Sequence, residues 1–273
     1  GDAVIGGSVI NSGTIKTTPV VSGTSAFGGT VGGEGMFLHN TQVAGDVANT
    51  GVIEVVGDEV VALAVDGPRD FPINIGGKII NSGTITATGQ RAWGIEVETT
   101  TSPLRIENSG LLSVNGADAS GIVFYAGTVD SILNTGTLEA KGTNAKAIDL
   151  LGATFTQNSP TGSRGIINRG TISADDTAIS VDAAAQTSTF EISQQAGEIR
   201  SNSGIAIDAA NRATLNWTGG KIVGDVLNVS AVNIAGQADF SGSRIIAPVS
   251  IHSDSLTLSA PGTVLTGDLN VAS

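Results

Sequence analysis

A short asparagine–glycine pattern recurs along this chain, and its spacing restricts the folds that the chain can adopt. Its clearest copy is Asn-Ser-Gly-Thr-Ile at residues 81–85, and the central glycine of each copy serves as a marker. The marker glycines are Gly13, Gly51, Gly83, Gly110, Gly136, Gly170 and, in a degenerate copy, Gly197. Spacings of 26 to 38 residues between them are typical of a repeat protein, in which each repeat is one supersecondary unit.

Each repeat contains three short apolar segments. The first ends at the asparagine, as in 79–81, the second follows the glycine, as in 84–87, and the third comes later, as in 94–97. Alternation with a period of two places the apolar residues of each segment on one face of a strand. Three strands per repeat, separated by Gly and Asn turns, predict one coil of a three-sided solenoid, which buries its apolar faces only by stacking on neighbouring coils. We expect about ten to twelve coils in all.

The composition agrees with a fold made of strands and turns. Gly accounts for 38 of 273 residues, whereas only 4% of the residues are aromatic and 14% are charged. So low a charge argues against a disordered chain, and the abundance of Val, Ile, Thr, Gly, Ser and Asn favours strands and turns over helices. The expected fold class is therefore all-β.

The repeated asparagine has a physical role in such a coil. Alternation points its side chain inward, where a buried amide is costly unless it forms hydrogen bonds. At the spacing of neighbouring strands, successive amides can donate and accept along the axis as a ladder. We predict this ladder for Asn11, Asn49, Asn81, Asn108, Asn134 and Asn168. The alternative is a set of exposed turn asparagines with no contact between coils.

The charge balance and the missing cysteines restrict the class of protein. The chain carries 25 acidic and 13 basic residues, for a net charge of −12. This balance works against nucleic-acid binding, which needs a basic surface. No cysteine is present, which suits a protein that crosses an oxidising compartment unfolded. No apolar run approaches the roughly 20 residues of a membrane-spanning helix.

We expect a single β-helix over residues 1–273, with two irregular regions. Residues 18–44 are rich in Gly, Ser and Thr and exceed the length of one coil, so a loop is expected to project within them. Near residue 217 the Asn-containing motif disappears, and Gly-Asp-Val or Gly-Asp-Leu replaces it, as at 224–226 and 267–269. Apolar alternation continues beyond this motif change, which predicts that the solenoid continues as well.

The repeats resemble those of a known family. Asn-Ser-Gly-Thr-Ile coils followed by Gly-Asp-Val coils, in an acidic, Gly-rich and cysteine-free chain, resemble the passenger domain of a Gram-negative autotransporter. The resemblance covers essentially the whole chain and is one of repeat style. It implies a right-handed parallel β-helix that is exported across the outer membrane to the cell surface, with a C-terminal outer-membrane β-barrel outside this segment.

The same resemblance implies a function and partners. Passenger domains with short, degenerate coils and no protease domain are known for adhesion, self-association, autoaggregation and biofilm formation. The implied partner is another copy of the chain on a neighbouring cell, or a host or surface glycan or protein. We therefore expect a non-catalytic cell-surface adhesin that acts through the outer faces of the β-helix.

Catalytic signatures are weak in this chain. The Gly-Asp-Ser-Gly motif of serine-protease passengers does not occur, and the two histidines, His39 and His252, lack metal-ligand spacing. Acidic pairs within 58–59, 96–98 and 175–176 could serve a carbohydrate-active enzyme, but the Gly-His-Gly and Arg-x-Lys patterns of polygalacturonases do not occur. We expect no enzyme, no cofactor and no metal site. The alternatives are a polysaccharide hydrolase or lyase and a passive stalk that presents another domain.

The outward residues of the strands are the candidates for binding. Trp93 and Tyr125 lie one coil apart, with Arg91 nearby, and exposed aromatic and Arg side chains are the usual anchors of a contact. Four acids are expected at equivalent outward positions of different coils, where they could bind a cation or a basic partner: Asp66, Glu98, Asp182 and Asp208. The alternatives are that the acids only solvate an outer face and that the rings only cover a loop. Apolar residues of the 18–44 loop are a second candidate.

Overall fold

The chain forms a parallel β-helix in the computed structural model, which describes residues 3–17, 33–67, 73–98, 100, 102–156, 164–183 and 189–271. All regular elements in these ranges are strands. Among the same residues there is no helix of the length and hydrophobicity needed to cross a membrane.

The strands are numbered in chain order. They are β1 (Ala3–Ile5), β2 (Val9–Asn11), β3 (Thr14–Thr17), β4 (Glu34–His39), β5 (Thr41–Val43), β6 (Val47–Asn49), β7 (Val52–Val56), β8 (Val61–Asp66), β9 (Asn74–Ile75), β10 (Ile79–Asn81), β11 (Thr84–Thr88), β12 (Trp93–Val97), β13 (Leu104–Asn108), β14 (Leu111–Asn115), β15 (Ser120–Phe124), β16 (Thr128–Asn134), β17 (Thr137–Lys141), β18 (Lys146–Leu150), β19 (Thr154–Phe155), β20 (Gly165–Asn168), β21 (Thr171–Ala174), β22 (Thr177–Val181), β23 (Phe190–Gln194), β24 (Glu198–Asp208), β25 (Ala213–Trp217), β26 (Lys221–Leu227), β27 (Ala231–Ser241), β28 (Arg244–Ile246), β29 (Val249–Leu258), β30 (Val264–Thr266) and β31 (Leu269–Val271).

Each strand pairs in parallel with the corresponding strand of the next coil, which gives the helix three sides. Side 1 contains β2, β6, β10, β13, β16, β20, β23, β25, β27, β29 and β31. Side 2 contains β3, β7, β11, β14, β17, β21, β24, β26, β27 and β29. Side 3 contains β4, β8, β12, β15, β18, β22, β24, β26, β28 and β30. The long strands β24, β26, β27 and β29 turn a corner and serve two sides each. A small parallel sheet, β1-β5-β9, precedes side 1 in the first coils.

The predicted three-sided solenoid is confirmed, and its core is continuous along the axis. Ile79 on side 1, Ile85 on side 2 and Ile95 on side 3 are each 0% exposed. The alternating residues between them point outward, because successive side chains of a strand lie on opposite faces. No single coil encloses these inward residues, so their burial depends on the coils above and below.

The predicted asparagine ladder lies on side 1. Each Nδ2 donates a hydrogen bond to the Oδ1 of the asparagine in the next coil over 2.8 to 2.9 Å. The ladder contains Asn11, Asn49, Asn81, Asn108, Asn134 and Asn168. It continues by one step, because Asn168 Nδ2 donates to Gln194 Oε1 over 2.8 Å.

A second hydrogen bond satisfies the remaining N–H of each side-chain amide. Asn81 Nδ2, for example, also donates to the backbone carbonyl of Leu111 over 3.0 Å. Both protons of the amide therefore have an acceptor, and the desolvation cost of burying it is offset. The ladder also ties side 1 of one coil to the start of side 2 of the next.

The marker glycine is required by close approach between coils. A Cβ on Gly110 would lie 2.0 Å from the backbone oxygen of Gly83, and a Cβ on Gly83 would lie 2.1 Å from that of Gly51. Real Cβ atoms do not approach an oxygen so closely, so only glycine fits at this corner. The repeat motif thus consists of an amide that links the coils and a glycine that lets them meet.

The structure describes only part of the region 18–44, within which a projecting loop is expected. Residues 34–44 belong to the β-helix, because β4 pairs with β8 on side 3 and β5 pairs with β1 and β9. The remaining part of the predicted loop, 18–32, lies outside the described residues. Met36 is 8% exposed and packs into the core, so β4 is a regular side 3 strand.

The motif change near residue 217 marks the end of the ladder and leaves the three sides in place. Trp217 pairs with Gln194 and is 0% exposed. Its Nε1 donates to the Gly220 carbonyl over 3.3 Å, and its ring lies edge-on to Phe240 at 6.4 Å. From this coil onward the amide column is replaced by apolar side chains, beginning with Trp217 and Ile234.

Candidate functional site

The outer surface of side 3 in four adjacent coils carries a group of aromatic and acidic side chains. It is formed by β4, β8, β12 and β15, whose inward residues, such as Leu63 and Ile95, are fully buried. We call this group the side 3 patch, and it consists of Glu34, Phe37, His39, Asp66, Arg91, Trp93, Glu96, Glu98 and Tyr125.

The aromatic part of the patch is centred on Trp93. Its ring lies edge-on to Tyr125 of the next coil, with 6.5 Å between the centroids. The Arg91 guanidinium lies 5.8 Å from the Trp93 centroid, a cation–π distance, and forms a 2.7 Å salt bridge with Glu59. Tyr125 remains 39% exposed. The three side chains therefore form a fixed surface that solvent reaches.

A second aromatic surface lies at the other edge of the patch, on β4. Phe37 is 46% exposed and stacks on His39 with 5.6 Å between the ring centroids. His39 Nδ1 lies 3.0 Å from Asp66 Oδ2 on the neighbouring strand. The imidazole is thus held between a ring and a carboxylate, and it is the only basic side chain on the described part of β4.

Three carboxyl groups of the patch, those of Glu34, Glu96 and Glu98, resist ionisation. Burial, followed by the negative charge of Glu98, raises the pKa of Glu96 to about 7. Burial and a hydrogen bond with Asp66 raise the pKa of Glu98 to about 7. Burial and the charge of Asp66 also raise the pKa of Glu34. Acids this close together cannot all be charged at low cost, so the patch holds protons near neutral pH.

The same environment affects the phenol of Tyr125. Burial, followed by the negative charge of Glu96, raises its pKa to about 12. The hydroxyl therefore stays protonated at physiological pH and remains available as a hydrogen-bond donor. The patch combines protonated carboxyl groups, carboxylates, aromatic faces and a phenol hydroxyl within one surface.

Five of the seven sequence-predicted binding residues meet in this patch. They are Arg91, Trp93, Tyr125, Asp66 and Glu98. The other two lie apart from it. Asp182 is at the Glu98 position of the helix but three coils further on, as the register from β12 through β15 and β18 to β22 shows.

The prediction is wrong for Asp208, which is not at the position of the other acids. It pairs with Ser180, in the column that contains Glu96. Alternation fits Ile205/Ile207 and Ile207/Ala209 equally well, so the sequence alone does not fix the register of this strand. The structure places Ile207 beside Ile179, with Ala209 fully buried. Asp208 accepts a hydrogen bond from Asn228 Nδ2 over 2.8 Å and so braces a turn.

The other acidic pairs considered from the sequence act within turns. Asp58 Oδ1 accepts from the backbone N–H of Gln90 over 2.9 Å. Asp175 Oδ2 accepts from the N–H of Gly142 over 2.8 Å, and this bond is the main cause that lowers the pKa of Asp175. In the described part of the chain, no group of three or more His, Asp or Glu side chains is arranged to hold a metal ion.

Sequence reasoning missed the contribution of β4 to the patch. Glu34 and His39 could not be assigned to a strand from the sequence, because the preceding marker glycine, Gly13, is further from them than the usual coil length allows. A signal was present, since Gly35 followed by Met36 and Leu38 repeats the pattern of a small residue and an alternating apolar pair. The apolar residues of 18–44, the second candidate for binding, differ in exposure. Phe37 is exposed and Met36 is buried, whereas Phe27 lies outside the described residues.

Comparisons of this chain with protein-family models, with curated proteins and with solved structures each find no match.

Proposed function

We propose that the protein is a non-catalytic adhesin, displayed at the cell surface, which holds cells together or attaches them through the outer faces of its β-helix. The observation that supports this most directly is the side 3 patch. Inward residues complete the rod, so the patch is not needed to bury the core. An exposed aromatic and acidic surface on a rigid rod is suited to binding a partner.

The chemistry of the patch fits a contact surface. Trp93 and Tyr125 present apolar faces with polar edges, a combination that is common at interfaces. Their rigid placement on strands means that little side-chain entropy is lost on binding. A rod also presents its surface in many copies on a cell, so weak individual contacts add up through multivalency. Self-association and binding to a glycan or protein on another surface are both compatible with these features.

The test is display of the full protein on cells that do not aggregate by themselves. We expect such cells to aggregate or to attach to a surface, and the double substitution Trp93→Ala and Tyr125→Ala to abolish most of that effect. Tyr125→Phe alone should preserve it, because the ring remains. Val52→Ala, which shortens a side chain that is 36% exposed on side 2, is the matched control and should have no effect.

Two outcomes would contradict the proposal. Cells that display the folded protein and neither aggregate nor attach to any surface would show that it is not an adhesin. Equal loss of aggregation in the Val52→Ala control and in the double variant would show that the side 3 patch is not the contact surface. Surface labelling of the cells measures how much of each variant is displayed, so that a difference in display is not mistaken for a difference in adhesion.

A second function, polysaccharide cleavage, is favoured by one observation. A carboxyl group with a pKa near 7 beside other acidic side chains is the arrangement that general acid catalysis uses, and Glu96 has this property. The test is incubation of the purified chain with polysaccharides and detection of new reducing ends or unsaturated products. Cleavage that is lost in Glu96→Gln would favour an enzyme, whereas no cleavage of any substrate would favour the adhesin.

A further inference from the structure

Side 1 carries two neighbouring depressions on its outer surface that share Arg105. The larger, of about 290 Å³, is lined by Ile75, Gly76, Gly77, Ser102, Pro103, Arg105, Asp130 and Thr156. The smaller, of about 180 Å³, is lined by Lys78, Arg105, Glu107, Ser131, Leu133, Ile167 and Arg169. We call the two together the side 1 groove.

The smaller depression forms because side chains become short along one outward column. Arg105 pairs with Ser131, and Ser131 pairs with Gly165. The long Arg105 side chain is therefore followed, in the next two coils, by a hydroxymethyl group and by no side chain at all. Arg105 and Ser131 both line the smaller depression.

The floor of the smaller depression is apolar. Leu133 and Ile167 occupy the adjacent outward column, where they pair with each other and follow Glu107. Both point away from the core, yet Ile167 is only 7% exposed. Leu133 is less buried, so it is the part of this apolar strip that offers a surface for the non-polar face of a ligand.

The groove is locally basic in an acidic protein. Lys78 forms a salt bridge with Glu107, and Arg169 Nε donates to Gln195 Oε1 over 2.7 Å, so that its terminal nitrogens remain available. Arg105 is half-buried and forms no ion pair or side-chain hydrogen bond with the residues that the structure describes. The smaller depression thus contains three cations and one carboxylate.

The Arg105 guanidinium, which has no ion-pair partner among the described residues, is the feature that indicates a ligand. Arg side chains present several donors in a planar fork that matches a carboxylate or a sulfate. The buried carboxylate that lines the larger depression with it, Asp130, accepts a hydrogen bond from Thr156 Oγ1 over 2.9 Å. An anion placed between Arg105 and Arg169 would meet both cations over the apolar floor.

We propose that the side 1 groove binds a segment of an acidic polysaccharide, with Arg105 and Arg169 on the anionic groups and Leu133 beneath a sugar ring. Sugars have an apolar face and a polar rim, which matches an apolar floor bordered by donors. Carboxylate and sulfate share the geometry that Arg recognises, so uronic acid and sulfated chains are two sources of one ligand chemistry.

The experiment measures binding of the purified chain to polygalacturonate and heparin oligosaccharides, with a neutral dextran as reference. We expect both or one of the acidic glycans to bind and dextran not to bind, with affinity that falls as salt rises. Arg105→Gln should weaken binding at least tenfold, and adding Arg169→Gln should weaken it further. Arg200→Gln is the matched control, an exposed arginine on side 2 that donates to Asn202, and it should change binding less than twofold.

The outcomes separate this inference from the proposed function. Tighter binding of polygalacturonate would assign the carboxylate, and tighter binding of heparin would assign the sulfate. Absence of binding to both acidic glycans at low salt, or an equal loss in Arg200→Gln and Arg105→Gln, would overturn the inference. Cell aggregation that persists in Arg105→Gln while glycan binding is lost would support a groove that is separate from the side 3 patch.

Discussion

Asn81 and Asn108 lie one above the other in adjacent coils, and the Nδ2 of Asn81 donates to the Oδ1 of Asn108 over 2.8 Å. Both side chains are buried, at 0% and 2% exposure. Because 27 residues of chain separate them, this one hydrogen bond fixes the register of an entire coil.

Replacing Asn108 by alanine should destabilise the rod strongly. The variant Asn108→Ala leaves a proton of Asn81 without its acceptor and Asn134 without its donor in a buried site. Two such losses are expected to lower the free energy of unfolding by about 2 to 4 kcal/mol. Urea denaturation followed by circular dichroism measures the change. Ser109→Ala, at the exposed neighbouring position, is the control, and a loss of similar size there would contradict the role of the ladder.

The marker glycines should tolerate alanine differently according to the space that surrounds a Cβ at each position. At Gly110 a Cβ would meet the Gly83 oxygen at 2.0 Å, whereas at Gly13 its nearest neighbour is the side chain of Asn11 at 4.0 Å. Gly110→Ala should cost about 2 to 3 kcal/mol, as forced overpacking does, and Gly13→Ala should be close to neutral. Thermal unfolding of the two variants compares them directly. Equal destabilisation would mean that the turn conformation matters and the contact between coils does not.

The side 3 patch should make stability depend on pH. Burial raises the pKa of Glu96 to about 7, above its ordinary value of 4.5. The folded state then binds this proton more tightly than the unfolded state, so the stabilisation is complete below about pH 4.5 and is lost as the pH rises through 7. Glu96→Gln should therefore raise the urea midpoint relative to the unsubstituted chain at pH 8 and leave it nearly unchanged at pH 5.

Asp175 provides the comparison for that experiment. A backbone hydrogen bond from Gly142 lowers its pKa below the ordinary value of 3.8, so its contribution is lost only as the pH falls through that lower pKa. Asp175→Asn should reduce the urea midpoint by the same amount at pH 5 and at pH 8. If Glu96→Gln behaved in the same way, with no difference between the two pH values, the raised pKa of Glu96 would be refuted.

The turn between sides 2 and 3 contains a left-handed residue whose replacement tests the backbone alone. Asp118 has a φ of 56°, and Glu59, Arg91 and Asn144 have the same conformation at the equivalent position of other coils. Asp118→Val should cost about 1 to 2 kcal/mol, because a β-branched side chain clashes there, whereas Asp118→Gly should be nearly neutral. Both variants lose the carboxylate, so the difference between their unfolding temperatures measures the effect of the left-handed backbone conformation alone. Equal unfolding temperatures would contradict the assignment.

Much of the scaffold follows from the sequence because its causes are local. Alternation places Ile79 and Asn81 on one face and Ile85 on the next, and these side chains point inward in the structure. The asparagine ladder could be predicted because a buried amide has few other partners in a stacked coil. The end of the ladder at Gln194 and Trp217 could not, since a longer amide and an indole fit the column only through packing that neighbouring coils determine.

The patch was only partly predictable, because it depends on register between distant segments. Trp93 and Tyr125 lie in regular coils of similar length, so their proximity could be inferred. Glu34 and His39 come after an irregular insertion, and only the pairing of β4 with β8 brings them to Asp66. The side 1 groove was not anticipated, since a depression arises from missing side chains, such as that of Gly165, and no motif records it.

The amide dipoles of the ladder all point the same way along the rod. Every amide in it donates toward the C-terminal end of the rod, so the side-chain dipoles align head to tail as peptide dipoles do in a helix. At the C-terminal end of the row, the Nε2 of Gln194 donates to the carbonyls of Ala196 and Gly197, so the last amide also has acceptors for its protons. Aligned bonds polarise one another, so a break near the middle weakens the segments on both sides of it.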